Sequence, residues 1–315
     1  MKPDLAGQMS KSNALKYLKH EELDYRSWDR CISGAGNSRV YALSWYLDRT
    51  AVNWDALIWG DYEYVMPVPL RSKFGIKYLY QPFFCQQLGI FPEPDTLIAE
   101  LFYSEILRRF RVVNILLNSA NKIPNISSIR KSPPRNNFLL NLARDYLSIR
   151  EGYSKNTVRN INNSGRYGLN YLPGISLNEY IEFLSENLPV GVKKNDLAKF
   201  RSIAAYCLHK GIGDLPGIYT SDNKLCAAVF LCRWKERVIY LNPASNIYGR
   251  RSRAMFFLLD NFISANAGKN IVLDFEGSMV QGVARFYQGF GAKAECYYPL
   301  KINRLPIPLQ WIKKI

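Results

Sequence analysis

NIVLDFEGSMVQGVARFYQGFG, residues 270–291, reads as a strand, a tight turn and a helix that ends in glycine. Ile271, Leu273 and Phe275 alternate with Val272, Asp274 and Glu276, the period-two signature of a short strand. Gly277 breaks the strand and Ser278 is the expected cap of the next helix. Val280, Val283, Ala284 and Tyr287 fall at i, i+3, i+4 and i+7, with Met279, Phe286 and Phe290 widening the face expected to be buried. Gly289 and Gly291 supply the exit. Two carboxylates on one strand face, followed by a phenol on the next helix, point to a site at a sheet end.

Working outward, the chain has 315 residues, which sets a prior of two domains of about 150 residues each. Aromatic content is high, and aromatic packing within sheets is the reading that accounts for most of it. The net charge of +16 favours anionic partners: a phosphorylated cofactor, tRNA, an acidic carrier or a lipid surface. Basic residues are spread along the chain with no RNA-binding signature, which argues against a dedicated nucleic-acid module. Six scattered cysteines without a CxxC pair read as buried, reduced thiols. With His20 and His209 the only histidines, a zinc site or a histidine-based triad has few sources, and no metal is expected. No window approaches the apolar length of a spanning helix and the N-terminus has no secretory h-region, so a cytoplasmic protein is expected.

In order, residues 11–30 read as a polar helical lead-in and 37–48 as a helix capped by Asn37 or Ser38. Residues 54–59 and 63–70 read as a hairpin turning at Gly60-Asp61, with Pro67 and Pro69 placing the second strand at an edge or bulge. Gln81, Gln86 and Gln87 lie in an aromatic segment after a strand broken by Pro82. They either satisfy loop backbone or face a polar substrate. A helix at 96–110, a strand at 112–117, a polar loop and a strand at 137–142 close the first half. Lys155, Arg159 and Arg166 follow, spaced among asparagines on a helix. They form either a solvated basic face or an anion clamp, for which the planar Arg159 guanidinium is best suited.

Residues 216–243 then repeat the earlier hairpin. They align without a gap to 55–82, matching Asp61 with Asp222, Val68 with Val229, Leu70 with Leu231 and Pro82 with Pro243. Equal hairpin length and a shared exit proline indicate an internal duplication. Tyr248, Gly249, Arg250, Arg251, Ser252, Arg253 and Ala254 come next and lead into a helix ended by Gly268. Three cations at a helix start oppose the helix dipole unless an anion binds there.

Residues 284–291, ARFYQGFG, resemble the closing A-x-x-F/L-Y-x-x-x-G-F helix of GNAT acyltransferases, and residues 273–278, LDFEGS, resemble the preceding strand of the Fem-type peptidyltransferases. The segment around Lys155 and Arg159 is similar to the helix that opens the second half of Fem-type proteins, with Val158 in place of an arginine. The resemblance implies an α+β chain of two tandem GNAT-like domains, 1–144 and 145–315, each a mixed sheet flanked by helices, with the donor site in the second. It implies an N-acyltransferase that moves an acyl or aminoacyl group from a phosphate-bearing donor (acyl-coenzyme A, an acyl carrier protein or aminoacyl-tRNA) to an amine. Residues 248–254 stand where the family binds the cofactor pyrophosphate, but the family's central glycine is missing, which weighs against coenzyme A and leaves anion binding intact. Glu276 is the candidate base, Asp274 the second choice, and Tyr287 resembles the family's general acid. Ser278 or a backbone N–H near Val229 is expected to serve the oxyanion, with Gln81, Gln86, Gln87 and Arg159 contacting substrate. The alternative is a non-catalytic protein on a degenerate acyltransferase fold that binds an anion or a partner.

Overall fold

The computed structural model describes residues 14–123, 129, 132–188, 194–277 and 279–306. They form two compact units. One comprises residues 1–134 together with 297–315, the other residues 135–296.

The first unit contains β1 (Leu15–Leu18), α1 (Tyr25–Gly34), α2 (Ser44–Thr50), β2 (Asn53–Trp59), β3 (Tyr64–Lys73), β4 (Ile76–Tyr80), α3 (Thr96–Arg109) and β5 (Val112–Leu116). The second contains β6 (Arg135–Asn141), α4 (Tyr146–Glu151), α5 (Lys155–Ser164), β7 (Asn170–Leu172), α6 (Leu177–Glu186), α7 (Lys194–His209), β8 (Gly213–Asp214), β9 (Gly217–Tyr219), β10 (Leu225–Trp234), β11 (Arg237–Ser245), α8 (Ile247–Arg251), α9 (Ala254–Asn266), β12 (Val272–Asp274), α10 (Gln281–Gly289) and β13 (Lys293–Tyr297). The chain then returns to the first unit as β14 (Pro299–Asn303).

The first sheet has the order β1-β2-β3-β4-β5-β14. Its pairs are antiparallel except β4 with β5, which run parallel. The apolar face of α3, with Phe102, Tyr103 and Ile106 fully buried, packs with Leu57, Met66, Val68, Leu79, Val113 and Ile115 of the strands. The second sheet has the order β13-β6-β12-β11-β10-β9-β7, with β8 beside β10, and its parallel pair is β11 with β12. Its core joins Leu258, Leu259, Phe262 and Ile263 of α9 to Val229, Leu231, Val238, Tyr240, Leu273 and Phe275 of the strands.

The repeated hairpin is visible in the element bounds. Tyr64 and Leu225, which open β3 and β10, lie 161 residues apart, and so do Lys73 and Trp234, which close them, and Ile76 and Arg237, which open β4 and β11. Each hairpin turn carries left-handed residues, among them Gly60 and Tyr62 in the turn between β2 and β3.

Several expectations need correction. The lead-in is not one helix: Leu15 and Tyr17 alternate as β1 against β2, and Asp24 caps α1 by accepting from the N–H groups of Arg26 and Ser27. The 37–48 helix is shorter, starting at Ser44. β3 is an interior strand, but Pro67 and Pro69 lie where only β2 is laddered to it, since β4 pairs only with Leu70 to Lys73. Proline's missing N–H is tolerated there because no second strand needs the donor. The boundary also moves. The strand expected to close the first half is β6, which pairs with β12 of the second sheet, while the C-terminal β14 pairs with β5 of the first. Four cysteines are buried thiols, whereas Cys31 is half-buried and Cys296 is exposed.

Candidate active site

At the end of β12 the chain makes a sharp turn. Glu276 and Gly277 both adopt left-handed backbone, at φ +58° and +86°. A Cβ on Gly277 would lie 2.0 Å from the Asn136 carbonyl oxygen, so only glycine fits. Asp274 is 2% exposed and fully engaged. Its Oδ2 accepts from Arg237 Nη1 at 2.7 Å and its Oδ1 accepts from the Glu276 N–H at 2.9 Å. It therefore holds the turn, and Glu276, half-buried at the turn, is close enough to Tyr287 for its charge to act on the phenol. Ser278 lies outside the described residues.

Helix α10 begins at Gln281 with Val280 as its N-cap. Met279 and Val280 are each 61% exposed, so they do not widen the buried face as their spacing led us to expect. That face is carried by Tyr287, Gly289 and Phe290, with Ala284 and Phe286 half-buried. Gly289 allows α10 to close on α5: a Cβ there would lie 2.4 Å from Thr157 Oγ1, and the Ser154 N–H donates to the Gly289 carbonyl at 2.8 Å. The Tyr287 ring stacks on Phe275 at 4.6 Å and lies 6.0 Å from both Phe138 and Tyr240. Burial pushes its phenol well above the ordinary tyrosine value, and the nearby Glu276 carboxylate adds to the shift. The phenol is thus kept protonated and able to donate.

β11 and β12 stay paired for three residues, ending at Ile239 opposite Asp274. Beyond that point the Phe275 N–H bonds to Phe138 O of β6 at 3.0 Å, while β11 runs on to Ser245 paired only with β10. The parallel ladder ends beside Tyr240 and Tyr287, with the Tyr240 ring 5.6 Å from Phe275. On its other side β11 bulges against β10: Ala228 pairs with Ala244 and Phe230 with Leu241, so Val229 faces both Asn242 and Pro243. Asn242 takes the left-handed position of the bulge at φ +56°. Of the backbone N–H groups near Val229, where an oxyanion donor was expected, that of Val229 itself is taken by Pro216 O at 3.2 Å.

Residues 248–254 are not a glycine loop. Asn246 caps α8, accepting from the Gly249 N–H at 2.8 Å. A Cβ on Gly249 would fall 2.0 Å from Cys226 O, so this glycine serves close packing on β10. Ser252 is buried, its hydroxyl donating to Tyr248 O at 2.9 Å. Arg253, at φ +62°, is the N-cap of α9 and Ala254 its buried first residue. Arg250, Arg251 and Arg253 are exposed, with Arg250 also donating to Ser245 O at 2.5 Å.

Tyr248 meets Tyr167 edge-on at 6.3 Å, which links α8 to the turn after α5. On α5, a concavity of about 520 Å³ is lined by Tyr153, Lys155, Arg159, Asn162, Asn163 and Arg166 among others, and contains no acidic residue. Arg159 donates to Asn156 Oδ1 at 2.8 Å, which orients its guanidinium.

The three glutamines belong to the first unit. Gln81 Oε1 accepts from the Leu116 N–H at 2.9 Å and its Nε2 donates to Cys85 O at 2.7 Å. Gln87 is fully buried, its Oε1 accepting from the Ser119 N–H at 3.1 Å and its Nε2 donating to Gln86 Oε1 at 3.0 Å. These amides satisfy backbone and each other, the first of the two roles open to them. The first unit also has a cavity of about 650 Å³ lined by His20, Asp48, Trp54 and Asp55 among others. Several of its ionisable groups are paired with one another or with neighbours: Asp48 Oδ1 with His20 Nε2 and Trp54 Nε1, and Asp55 with Tyr17 and Lys19. Among the described residues no His, Cys, Asp or Glu cluster is placed to hold a metal ion, and no helix is long and apolar enough to cross a membrane.

Sequence reasoning missed Tyr180, Tyr240 and Asn242. The available signal was the Asn242-Pro243 step, in register with Gln81-Pro82 of the first hairpin.

No family model and no curated protein matches the sequence. Solved structures do match the fold. FemX is similar over 94% of this chain and 99% of its own, with a TM-score of 0.61 at 10% identity. A tandem GNAT protein from the clavulanic acid biosynthesis pathway is similar over 93% and 99%, with a TM-score of 0.52 at 11% identity. L-PGS from Bacillus licheniformis is similar over 82% and 87%, with a TM-score of 0.50 at 10% identity. At such identities the likeness shows the fold alone. The chain has a tandem GNAT fold of the Fem-type acyltransferase kind, two mixed sheets flanked by helices.

Proposed function

We propose that this tandem GNAT protein is an N-acyltransferase whose donor and reaction sites lie in the second unit. The observation that carries the reading is the Glu276–Tyr287 pair at the point where the β11–β12 ladder ends. An acyl group bound there has a carboxylate and a protonated phenol within the same cluster. An amine acceptor reaches the site as an ammonium ion and needs a base, and Glu276 takes that proton. The amine nitrogen attacks the acyl carbon, and Tyr287 donates to the departing oxygen or sulfur. Asp274 keeps Glu276 in place through its backbone and performs no proton transfer, because both of its oxygens are occupied.

The donor carries phosphate. The exposed Arg250, Arg251 and Arg253 at the start of α9, and the acid-free concavity holding Lys155, Arg159 and Arg166, are matched to an anion. Acyl-coenzyme A, an acyl carrier protein and aminoacyl-tRNA all present one. A helical α8 where the fold's cofactor loop is expected favours a second reading, an anion binder without turnover.

The deciding experiment screens acetyl-coenzyme A, aminoacyl-tRNA and an acyl carrier donor by thermal shift, then by transfer to amine acceptors. A donor present at a hundredfold over its dissociation constant raises stability by about 2.7 kcal/mol. Shift with transfer supports the enzyme, and shift without transfer supports the binder. No shift with any of the three defeats the phosphate-bearing donor.

A further inference from the structure

We propose that the side-chain amide of Asn242 is the hydrogen-bond donor to the carbonyl oxygen of an acyl group bound beyond the end of the β11–β12 ladder. The chemistry rests on the acyltransferase reading above, whereas the placement rests on the residue's own surroundings.

Asn242 is 8% exposed, yet its Nδ2 is buried with no hydrogen-bond acceptor. Buried amide donors are almost always paired, because an unpaired one has lost water and gained nothing. Its backbone is left-handed at the bulge, a position that glycine fills without strain. Its carbonyl oxygen accepts the hydroxyl of the fully buried Tyr180, which anchors the peptide at the bulge. The residue sits on the stretch of β11 beyond the end of its ladder with β12, two positions after Tyr240, whose ring lies 6.0 Å from Tyr287. An unpaired donor, held rigidly and at a conformational cost, marks where a missing acceptor belongs.

In the proposed transfer the amine nitrogen forms its bond to the acyl carbon, and the carbonyl π pair moves onto oxygen as the tetrahedral intermediate forms. The Asn242 N–H stabilises that oxyanion. Collapse restores the carbonyl and breaks the bond to the leaving oxygen or sulfur, which takes a proton from Tyr287; the Tyr287 phenolate recovers a proton from the attacking nitrogen, which becomes the neutral amide, while Glu276 holds the proton lost by the ammonium. Removing one preorganised donor of this kind costs about 10² to 10³ in kcat.

Asn242→Gly separates this role from a structural one, since glycine accepts the left-handed bulge and removes only the amide. The expected result is a melting temperature equal to or above wild type, a kcat lower by about 10²-fold or more and a nearly unchanged donor KM. Asn242→Asp, with the same shape and no N–H donor when ionised, is expected to lose at least as much. Wild-type kcat in both variants overturns the proposal. A measurement without turnover stands beside it: acetamide, a bare carbonyl probe, is titrated against protein labelled at side-chain amides. The Asn242 NH₂ resonance, identified by its absence in Asn242→Gly, should move with acetamide, and a stationary resonance overturns the carbonyl site. If that resonance moves while wild type transfers no acyl group from any donor, the carbonyl site stands and the acyltransferase reading falls.

Discussion

Gln81-Pro82 and Asn242-Pro243 hold the same place in two hairpins 161 residues apart, the first just after β4 and the second within β11, and each of these strands runs parallel to a neighbour. In the first sheet the longer glutamine reaches across to β5, accepts from the Leu116 N–H and donates to Cys85 O. The Leu88 N–H then bonds to Leu116 O at 2.7 Å, and the Asn118 N–H to Leu88 O. The gap beyond the parallel pair is filled by the protein's own chain. In the second sheet the side chain is one methylene shorter, its Nδ2 finds no acceptor, and the ladder of β11 with β12 has already ended. The lesson is that a duplicated fold divides its labour at a single position. One copy spends its amide on the backbone, while the other keeps its Nδ2 without an acceptor in the protein.

The sharpest way to break this contrast is Tyr287→Phe, which removes one hydroxyl from the candidate site. The expected loss is about 10² to 10⁴ in kcat with little change in melting temperature. Because burial holds this phenol above its ordinary value, it stays protonated through neutral and mildly alkaline pH. The rate–pH profile should then show no alkaline fall from this group below about pH 10, the ordinary tyrosine value. A fall near neutrality that disappears in Tyr287→Phe would contradict the assignment.

Gln81→Leu probes the sealed copy. It leaves the Leu116 N–H and Cys85 C=O without their partner, at a cost of about 2 to 3 kcal/mol in chemical denaturation, with kcat unchanged. Equal losses of stability from Gln81→Leu and Asn242→Gly would show that the two amides do the same job, and the contrast would be gone. The smallest effect belongs to Arg250, Arg251 and Arg253, whose joint replacement by alanine should weaken phosphate-bearing donors about tenfold, or 1.4 kcal/mol. Calorimetry with equal affinities for wild type and the triple variant would return these residues to a solvated helix start.

Much of the architecture was legible because it is written in local periodicity. The hairpin repeat, α3, α6, α7 and α9 follow from spacing and from their caps, and the ARFYQGFG helix carried the family resemblance that the solved structures bear out as a fold. What escaped depended on long-range partners. Nothing near Met279 and Val280 announces that the turn at Gly277 against Asn136 delays the helix to Gln281. The engagement of Asp274 by Arg237 requires the parallel register of β11 and β12 to be known. Nothing in the sequence marks Asn242 as a bulge residue, since a bulge is defined by the strand opposite and not by its own sequence.

The exchange of outer strands has a consequence for the order in which the protein is made. β5 leaves the ribosome long before β14, its antiparallel partner over Val112 to Leu116, and the whole of the second unit is synthesised between them. Until β14 arrives, β5 offers an unpaired edge of apolar residues, the kind of template on which other chains add. Arg304, just beyond β14, must also arrive before the Leu107 and Phe110 carbonyls at the end of α3 are met. The half of the molecule that is translated first is therefore the half that is finished last, and its sheet waits for the final residues of the described chain.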